Sequence, residues 1–285
     1  MSEAAGTLYL CATPIGNLDD MTCRAVTVLR QVSLIAAEDT RHTRKLTSHF
    51  DIHCPLTSYH EHNKVRKGPE LVERLLAGQD VALVSDAGLP GISDPGEDLV
   101  RLAVQAGIRV TPIPGPCAAL TAIMASGLPT GAFVFAGFLP KQAGARQKRL
   151  TALRDYPETL IFYESPHQLL RTLADLQSVL GDRPAVIARE LTKVHEEFRR
   201  GLLSALTADF QDQPPRGEFV VMVAGRDETM AMPEPAAKPI TDATIREELE
   251  RRIAAGENKK DAIRMTASQL GLPRRRVYRL TVDSG

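Results

Sequence analysis

The feature that most constrains the fold is a regular alternation of short apolar segments with helical segments through the first half of the chain. Apolar runs such as Val81–Ser85 end in loops rich in Gly and Pro, and segments with helical periodicity follow them. Such alternation is typical of a parallel sheet covered by helices on both faces. The predicted strands are Thr7–Ala12, Val32–Ala37, Val81–Ser85 and Arg109–Ile113, and the predicted helices are Thr22–Gln31, Leu71–Ala77, Asp98–Gln105 and Ala118–Ser126.

The pattern changes after about residue 120, where strands and helices no longer alternate strictly. This part predicts a second α/β domain with a mixed sheet, and a Pro-rich stretch and further helices follow it. The predicted strands are Ala132–Gly137, Glu158–Tyr163, Ala185–Arg189 and Glu218–Ala224; the predicted helices are Arg146–Arg154, Gln168–Leu180, Thr241–Ala254, Lys259–Leu270 and Pro273–Leu280. We therefore predict α/β domains at 1–120 and 121–226, a linker at 227–239 and a small helical appendage at 240–285.

The overall composition indicates a soluble globular protein without a signal peptide. The 35 basic residues balance the 35 acidic ones, so a nucleic-acid partner would have to be recognised by local charge. The four cysteines lack CxxC or metal-ligand spacing, which predicts reduced, mostly buried thiols in the cytoplasm. Residues 110–140 carry no charge, but Gly and Pro interrupt them, which predicts buried loops at a domain junction rather than a membrane helix.

Three Gly- and Pro-containing loops follow predicted strands of the first domain, namely 13–17, 86–96 and 114–119. Each alone could be a tight turn, but together they would lie at the carboxyl edge of the sheet, where α/β folds bind ligands. Glycine there allows the backbone to approach a ligand closely. Neither GxGxxG nor GxxxxGK[ST] occurs. The loops therefore favour a nucleotide-like ligand without a pyrophosphate.

These loops carry a specific resemblance to a known family. The strings are TPIGNLDD at 13–20, AEDTRHT at 37–43, SDAGLPGISDPG at 85–96, PIPGPCA at 112–118, GFLP at 137–140, FYESPH at 162–167 and ARELTK at 188–193. In this order they resemble the ribosomal RNA small-subunit methyltransferase I family, a branch of the tetrapyrrole methylase superfamily, over about residues 7–225. The C-terminal appendage is also similar.

The resemblance implies a two-domain tetrapyrrole-methylase-like fold with S-adenosylmethionine bound between the domains. It also implies a homodimer that 2′-O-methylates a cytidine in the decoding centre of 16S rRNA, with the 30S subunit as partner. The cofactor residues that it implies are Pro14, Gly16, Asp86, Ala87, Gly88, Pro90, Asp94, Pro114, Pro116 and Ala118, with Phe138, Leu139, Tyr163, Glu164, Ser165 and Glu190 from the second domain. We expect no metal, DNA or membrane partner.

Methyl transfer to a ribose hydroxyl requires alignment of the reacting atoms, and a base or a nearby cation assists it. The polar residues available for this are Glu38, Asp39, Arg41, His42, Glu164, His167, Glu190 and Lys193. Glu38 or Glu190 could accept the proton, and Arg41 or Lys193 could hold a neighbouring phosphate. A mixed-charge cluster of this kind could equally be a salt-bridge network.

Two further clusters have alternative interpretations. His60 and His62 could bind a metal, but the absence of a third ligand favours a polar loop at the substrate entrance. The C-terminal appendage has the pattern of a helix-turn-helix module with a core of Ala262, Ile263, Ala267, Leu270 and Val277. It carries a basic cluster that predicts RNA binding, although it could be a solvated helix face: Lys259, Lys260, Arg264, Arg274, Arg275, Arg276 and Arg279.

Two other functions remain open from the residues alone. One is a small-molecule methyltransferase of the same fold, acting on a tetrapyrrole or a diphthine-type substrate. The other is a non-catalytic RNA-binding factor for ribosome assembly. The basic C-terminal cluster and the strings at 37–43 and 162–167 favour an RNA methyltransferase over both.

Overall fold

The computed structural model describes residues 5–94, 96–226, 241–270 and 272–280. A five-stranded sheet opens the chain, with strands in the order β3-β2-β4-β1-β5 and every neighbouring pair parallel. The strands are β1 (Thr7–Cys11), β2 (Leu34–Ala37), β3 (Leu56–Ser58), β4 (Val81–Val84) and β5 (Arg109–Ile113). The parallel sheet predicted for the first half of the chain is thus confirmed.

Helices connect these strands and cover both faces of the sheet, so that the strands β2 and β4 are buried throughout. The helices are α1 (Cys23–Gln31), α2 (Thr40–His49), α3 (Lys64–Leu76), α4 (Gly96–Gln105) and α5 (Ala118–Ser126). Helix α1 begins after Thr22, whose side chain accepts a hydrogen bond from the Ala25 N–H at 3.1 Å. Helices α1, α3 and α4 each bury an apolar stripe against the sheet, and α2 contributes Leu46.

A second five-stranded sheet is mixed, as predicted. Its order is β6-β7-β10-β8-β9, in which only the β6–β7 pair is parallel. The strands are β6 (Phe133–Phe138), β7 (Thr159–Glu164), β8 (Pro184–Arg189), β9 (Glu197–Leu202) and β10 (Phe219–Val223), and the helices are α6 (Ala143–Leu153), α7 (Leu169–Leu180) and α8 (Leu203–Asp212). Central β10 has both faces buried, one beneath these helices and the other against α5.

Helix α5 joins the two sheets, because Ala119, Ala122 and Ile123 pack on the second sheet directly after the chain leaves the first. The Arg200 guanidinium donates to the carbonyl oxygens of Ala125 at 2.6 Å and Ser126 at 3.0 Å, at the carboxyl end of α5. Residues 110–140 were expected to form buried loops. The structure corrects this expectation, since the separately predicted strand Arg109–Ile113 and helix Ala118–Ser126, together with β6, occupy most of the segment.

The sequence interpretation missed several elements, namely α2, β3, β9, α8 and the first part of α3. Two of them, α2 and the edge strand β9, are rich in charged residues and present little apolar periodicity. The expectation of mostly buried thiols was also too broad. All four cysteines are free, but only Cys11 is fully buried, and Cys23 is exposed on the first turn of α1.

The chain divides into two compact units, Met1–Met230 and Ala231–Gly285, and both sheets lie in the first. The division of this unit at residue 120 stays a prediction. In the second unit, α9 (Asp242–Ala254), α10 (Lys259–Gln269) and α11 (Arg274–Arg279) surround a small core that includes the predicted Ala262, Ala267 and Val277. The predicted linker at 227–239 lies outside the described residues. None of the helices in the described ranges has the length and apolar character of a membrane-spanning helix.

Candidate active site

The loops that follow β1 and β4 are bonded to each other at the carboxyl edge of the first sheet. Thr13 and Gly88 exchange two backbone hydrogen bonds of 2.9 and 3.0 Å, and the Thr13 hydroxyl donates to the Ser85 carbonyl at 3.1 Å. Gly88 has a φ of +79°, a conformation that strongly favours glycine. The two loops therefore form one rigid edge beside the central strands.

Asp94 organises the far end of the loop after β4. One carboxylate oxygen accepts hydrogen bonds of 2.7 Å from the backbone N–H groups of both Gly91 and Gly96. The other oxygen is buried and has no hydrogen-bond partner among the described residues. Burial raises the pKa of Asp94, although the two N–H donors oppose the shift. The second oxygen is thus an acceptor available to a ligand.

Gly16 brings the first sheet into contact with the turn after β8. A Cβ atom at Gly16 would lie 2.5 Å from the Lys193 Cγ and 3.0 Å from the Leu191 carbonyl oxygen. The turn itself is strained, because Glu190 and Thr192 have φ values of 49° and 66°. Only glycine permits this close approach between the β1 loop and the turn.

A cavity of about 480 Å³ lies between these loops and the second sheet, within the range of small-molecule sites. Its walls come from the carboxyl ends of β2, β4 and β7, from the start of α5 and from the adjoining ends of β6, β8 and β10. The lining residues are Ile15, Glu38, Ser85, Ala87, Ile92, Ser93, Asp94, Ala118, Phe138, Tyr163, Glu164, Ser165, Pro166, Ala188, Leu191, Glu218, Phe219 and Val220.

Tyr163 forms an aromatic corner of the cavity. Its ring packs edge-to-face against Phe135 and Phe138, with centroid distances of 4.9 and 5.6 Å. Its hydroxyl oxygen accepts a hydrogen bond from the Ala119 N–H at 3.2 Å. Burial raises the pKa of Tyr163 to about 12, so the phenol is neutral at physiological pH. This wall therefore offers apolar surface to a ligand.

Glu164 also lines the cavity, but its carboxylate is bonded to its own chain. One oxygen accepts from the Ser165 N–H at 2.8 Å and the other from the Thr172 hydroxyl at 2.6 Å. The side chain is almost fully buried. Glu164 therefore fixes the connection from β7 to α7 and is a poor candidate for a base.

Glu38 is the candidate base that reaches the cavity. It follows β2 directly and is half-buried. Burial raises the pKa of Glu38, and the nearby carboxylates of Asp86 and Asp94 raise it further. The Asp86 carboxylate is itself fixed, since it accepts the Asp39 N–H at 2.9 Å. Glu38 thus combines access to the cavity with a raised proton affinity.

Arg41 lies in the first turn of helix α2. Asp39 is the N-terminal cap of α2, and its carboxylate accepts both the Arg41 N–H at 2.8 Å and the Arg41 guanidinium at 2.6 Å. Hydrogen bonds from Arg41 hold the pKa of Asp39 well below its usual range. The Arg41 side chain is 85% exposed and does not line the cavity.

Glu190 and Lys193 form an ion-pair cluster with Glu218 at the rim. The Lys193 ammonium lies 2.9 Å from a Glu190 carboxylate oxygen and 2.8 Å from Glu218. Burial alone would raise the pKa of Glu190, but hydrogen bonds from Lys193 and the Glu218 N–H lower it below its ordinary value. Glu190 is therefore a poor proton acceptor, and Glu218 is the carboxylate of this cluster that lines the cavity.

The structure brings part of the predicted cofactor set to the cavity wall. Seven predicted residues line it: Ala87, Asp94, Ala118, Phe138, Tyr163, Glu164 and Ser165. The others belong to the loops and strand ends around it without forming its wall: Pro14, Gly16, Asp86, Gly88, Pro90, Pro114, Pro116, Leu139 and Glu190. Apart from Glu38, the sequence interpretation did not name the other lining residues. Ile15, Ser85, Ile92, Ser93 and Pro166 lie within its motif strings, and Ala188, Leu191, Glu218, Phe219 and Val220 lie beside or within a predicted strand end.

The other predicted clusters lie outside this cavity. His60 and His62 follow β3, with ring centroids 6.0 Å apart, and no metal-binding group of three or more ligands occurs in the described ranges. All seven basic residues predicted to bind RNA are exposed on the second unit. Arg264 lies 2.9 Å from Asp261, and Arg276 lies 3.3 Å from Asp242.

Comparison with solved structures identifies the same architecture in tetrapyrrole methylases. Uroporphyrin-III C-methyltransferase from Thermus thermophilus is 21% identical, with a TM-score of 0.55 over 77% of this chain and 94% of that one. Cobalt precorrin-4 methyltransferase is 16% identical, also with a TM-score of 0.55, over 76% of this chain and 94% of that one. At these identities the likeness establishes the fold.

Sequence comparison makes the family assignment more specific. The family described as Tetrapyrrole (Corrin/Porphyrin) Methylases matches residues 7–207. The ribosomal RNA small subunit methyltransferase I of Synechocystis sp. is 50% identical over 98% of both chains. The Bacillus subtilis protein of the same name is 46% identical over 96% of this chain and 93% of that one. The chain therefore belongs to the ribosomal RNA small subunit methyltransferase I family of the tetrapyrrole methylases.

Proposed function

We propose that this protein transfers a methyl group from S-adenosylmethionine to the 2′-hydroxyl of a cytidine in the decoding centre of 16S rRNA. The proposal rests on near-full-length likeness to proteins named for methylation of small-subunit ribosomal RNA. The family and its names support an rRNA methyltransferase. The cytidine, the 2′-oxygen and the decoding centre come from the resemblance that the sequence motifs carry.

The cofactor of this methyltransferase family is S-adenosylmethionine, which agrees with the sequence prediction. A uroporphyrin-III C-methyltransferase of the same fold is known in complex with S-adenosyl homocysteine. The cavity fits such a ligand, because the unpartnered Asp94 oxygen can accept from a hydroxyl or amino group. The apolar surface around Tyr163 and Phe138 suits an adenine ring. Once bound, the cofactor supplies an electrophilic methyl group on its sulfonium.

We assign the predicted cofactor residues to two roles on this basis. Of the seven that line the cavity, Glu164 is bonded to its own chain. The other six would contact the ligand directly: Asp94, Ala87, Ala118, Phe138, Tyr163 and Ser165. The remaining loop residues would hold the backbone in place around it. The Thr13–Gly88 pairing and the Gly16 contact give these loops a fixed geometry before the ligand binds.

For the transfer itself, Glu38 is the group that we propose to accept the proton of the 2′-hydroxyl. Its raised pKa makes it a stronger base than an ordinary carboxylate, and it faces the cavity. Arg41 and Lys193 carry the cations that we propose to hold a phosphate near the reacting ribose. Glu190 would act through Lys193, whose ammonium it fixes at 2.9 Å.

The second unit is the part that we propose to bind the 30S subunit. Its exposed cations are Lys259, Lys260, Arg264, Arg274, Arg275, Arg276 and Arg279. Basic charge clustered on the surface of a small helical module favours phosphate contacts. We further propose that the enzyme acts in the cytoplasm as a homodimer.

Labelled methyl transfer from S-adenosylmethionine into 30S subunits that lack the modification tests the function, and mapping of ribose methylation would locate the product. We expect incorporation at one cytidine ribose of 16S rRNA. Incorporation into a porphyrinogen but not into RNA would instead support a small-molecule methyltransferase. Cofactor binding in calorimetry without incorporation into either substrate would contradict the enzymatic role.

A further inference from the structure

A second groove lies at the end of β8, separate from the cavity described above. It has a volume of about 330 Å³ and is lined by Phe210, residues 212–215 and three arginines, Arg189, Arg199 and Arg216. Neither the sequence motifs nor the proposed reaction assigns it a role. A concave surface with three guanidinium groups is suited to an anion, because arginine forks match the oxygens of phosphate and carboxylate.

Two of the arginines are fixed by contacts within the groove. The Arg199 guanidinium lies over the Phe210 ring at 4.6 Å, and its Nη2 donates to the Gln213 side chain at 3.0 Å. Its Nε donates to Glu197 at 2.7 Å. Arg189 lies 3.5 Å from the same Glu197 carboxylate, so that one acid serves two arginines. The guanidinium planes are therefore positioned in advance, which lowers the entropic cost of binding a ligand.

Arg216 completes the groove. Arg189 donates from its Nε to the Arg216 carbonyl oxygen at 2.7 Å, which fixes the Arg216 backbone. The Arg216 side chain is exposed and makes no salt bridge with any residue in the described ranges. Glu197 contacts both Arg189 and Arg199, and the Glu190 carboxylate also lies close enough to act on Arg189, so the charge of these two arginines is largely balanced. The Arg216 guanidinium is therefore the cation of this groove that is available to an anionic ligand.

The groove lies next to the proposed reaction site along the chain. Arg189 directly follows Ala188, and Arg216 lies two residues before Glu218; Ala188 and Glu218 both line the cavity. Successive residues of a strand point to opposite faces of the sheet. At the carboxyl end of β8, Ala188 therefore faces the cavity on one side and Arg189 faces the groove on the other. A polynucleotide bound at the cavity could thus continue around the carboxyl end of β8 to the groove.

We propose that this arginine groove binds a backbone phosphate of the RNA substrate that neighbours the methylated nucleotide. The inference rests on the proposed function, since it concerns the substrate of the same reaction. It adds an RNA contact on the catalytic unit to those expected on the basic second unit.

The test uses the full-length protein and unmethylated 30S subunits as the probe. Arg216→Gln should weaken binding about tenfold, since one charge-assisted contact is lost, and should reduce the salt slope of log K by about 0.7–0.9. Arg216→Glu should weaken binding further. Affinity for S-adenosylmethionine, measured by calorimetry, should remain that of the wild type. Arg149→Glu is the matched control, because Arg149 is exposed on α6 outside the groove and should leave RNA binding unchanged.

The outcomes separate the two proposals. If the wild type methylates 30S subunits and both Arg216 variants bind them with wild-type affinity and salt slope, the groove proposal is wrong. The groove proposal is also wrong if the Arg216 variants change only the sedimentation of the protein. The groove would then be a contact between protein chains rather than an RNA site. If the wild type neither binds nor methylates 30S subunits, the proposed function fails and the groove inference fails with it.

Discussion

At the scale of single residues, the position of Glu38 at the cavity predicts how the methyl-transfer rate depends on pH. A carboxylate base works only when it is deprotonated, so activity should fall as the pH decreases through its pKa. Because burial and the Asp86 and Asp94 carboxylates raise that pKa, the fall should begin above the usual carboxylate range. We expect Glu38→Gln to reduce single-turnover methyl transfer about 10²- to 10⁴-fold and to abolish this acidic limb.

Glu190→Gln is the matched control for that prediction. The Glu190 carboxylate is bonded to Lys193 and to the Glu218 N–H, and its pKa is lowered. The acidic limb should therefore persist in Glu190→Gln, with a smaller loss of rate. If Glu38→Gln keeps the acidic limb of the pH–rate profile while cofactor affinity is unchanged, Glu38 is not the base.

Gly16 supports a second prediction at this scale, on stability. A methyl group there would lie 2.5 Å from the Lys193 Cγ and 3.0 Å from the Leu191 carbonyl oxygen, which belongs to backbone and cannot rotate away. Gly16→Ala should therefore destabilise the protein by about 1–3 kcal/mol in urea unfolding. Gly144→Ala, in helix α6 where a Cβ meets nothing within 4 Å, should instead be neutral or stabilise by up to about 1 kcal/mol. Equal midpoints for the two variants would contradict the close contact.

At the scale of elements, the loop after β6 depends on an ion pair between a buried arginine and a partly buried aspartate. The Arg146 guanidinium, on α6, donates to Asp175 of α7 at 2.6 Å and to the Lys141 carbonyl at 2.9 Å. This pair fixes the segment that follows Phe138 at the cavity wall. Arg146→Met should cost about 1–3 kcal/mol, because Asp175 would remain partly buried without its partner.

The double variant Arg146→Met, Asp175→Leu distinguishes the effect of the ion pair from that of side-chain packing. Since it removes the uncompensated charge, urea unfolding should show most of the stability restored. Cofactor affinity should remain weakened in both variants, because the loop loses its bond to the helix. A double variant as unstable as the single one would indicate that packing of the arginine stem, rather than charge pairing, holds the loop.

The elements also show how far the sequence alone could go. Strands β1, β4 and β5 were predictable because buried parallel strands are short apolar runs between loop signals. Helix α2 was missed, since its polar sequence buries only Thr43, Leu46 and Thr47. Its one usable signal was Asp39, a typical N-terminal cap. Strand β9 was missed because an edge strand can be rich in charge.

At the scale of the whole molecule, the cavity required contacts that local patterns do not encode. Loop motifs led to Asp94 and Tyr163, which are about 70 residues apart in the chain. Ala188, Phe219 and Val220 reach the same wall only because β8 and β10 are antiparallel neighbours. Strand pairing over such separations follows from the packing of the two sheets, which a motif does not specify. The residues of the cavity were thus predictable in the first sheet and only in part in the second.

Because the total charge of the protein is zero, RNA binding must depend on local clusters of cations. The cluster on the second unit leads to the last prediction. Lys260, Arg274 and Arg275 are exposed, and Gln at all three positions should reduce the salt slope of 30S binding by about 2. Cofactor affinity should stay unchanged, since these residues do not line the cavity. Arg251→Gln is the control, because Arg251 is exposed on α9 but paired with Glu248 at 2.7 Å. An unchanged slope in the triple variant would place the RNA contacts elsewhere, with the groove around Arg216 as the next candidate.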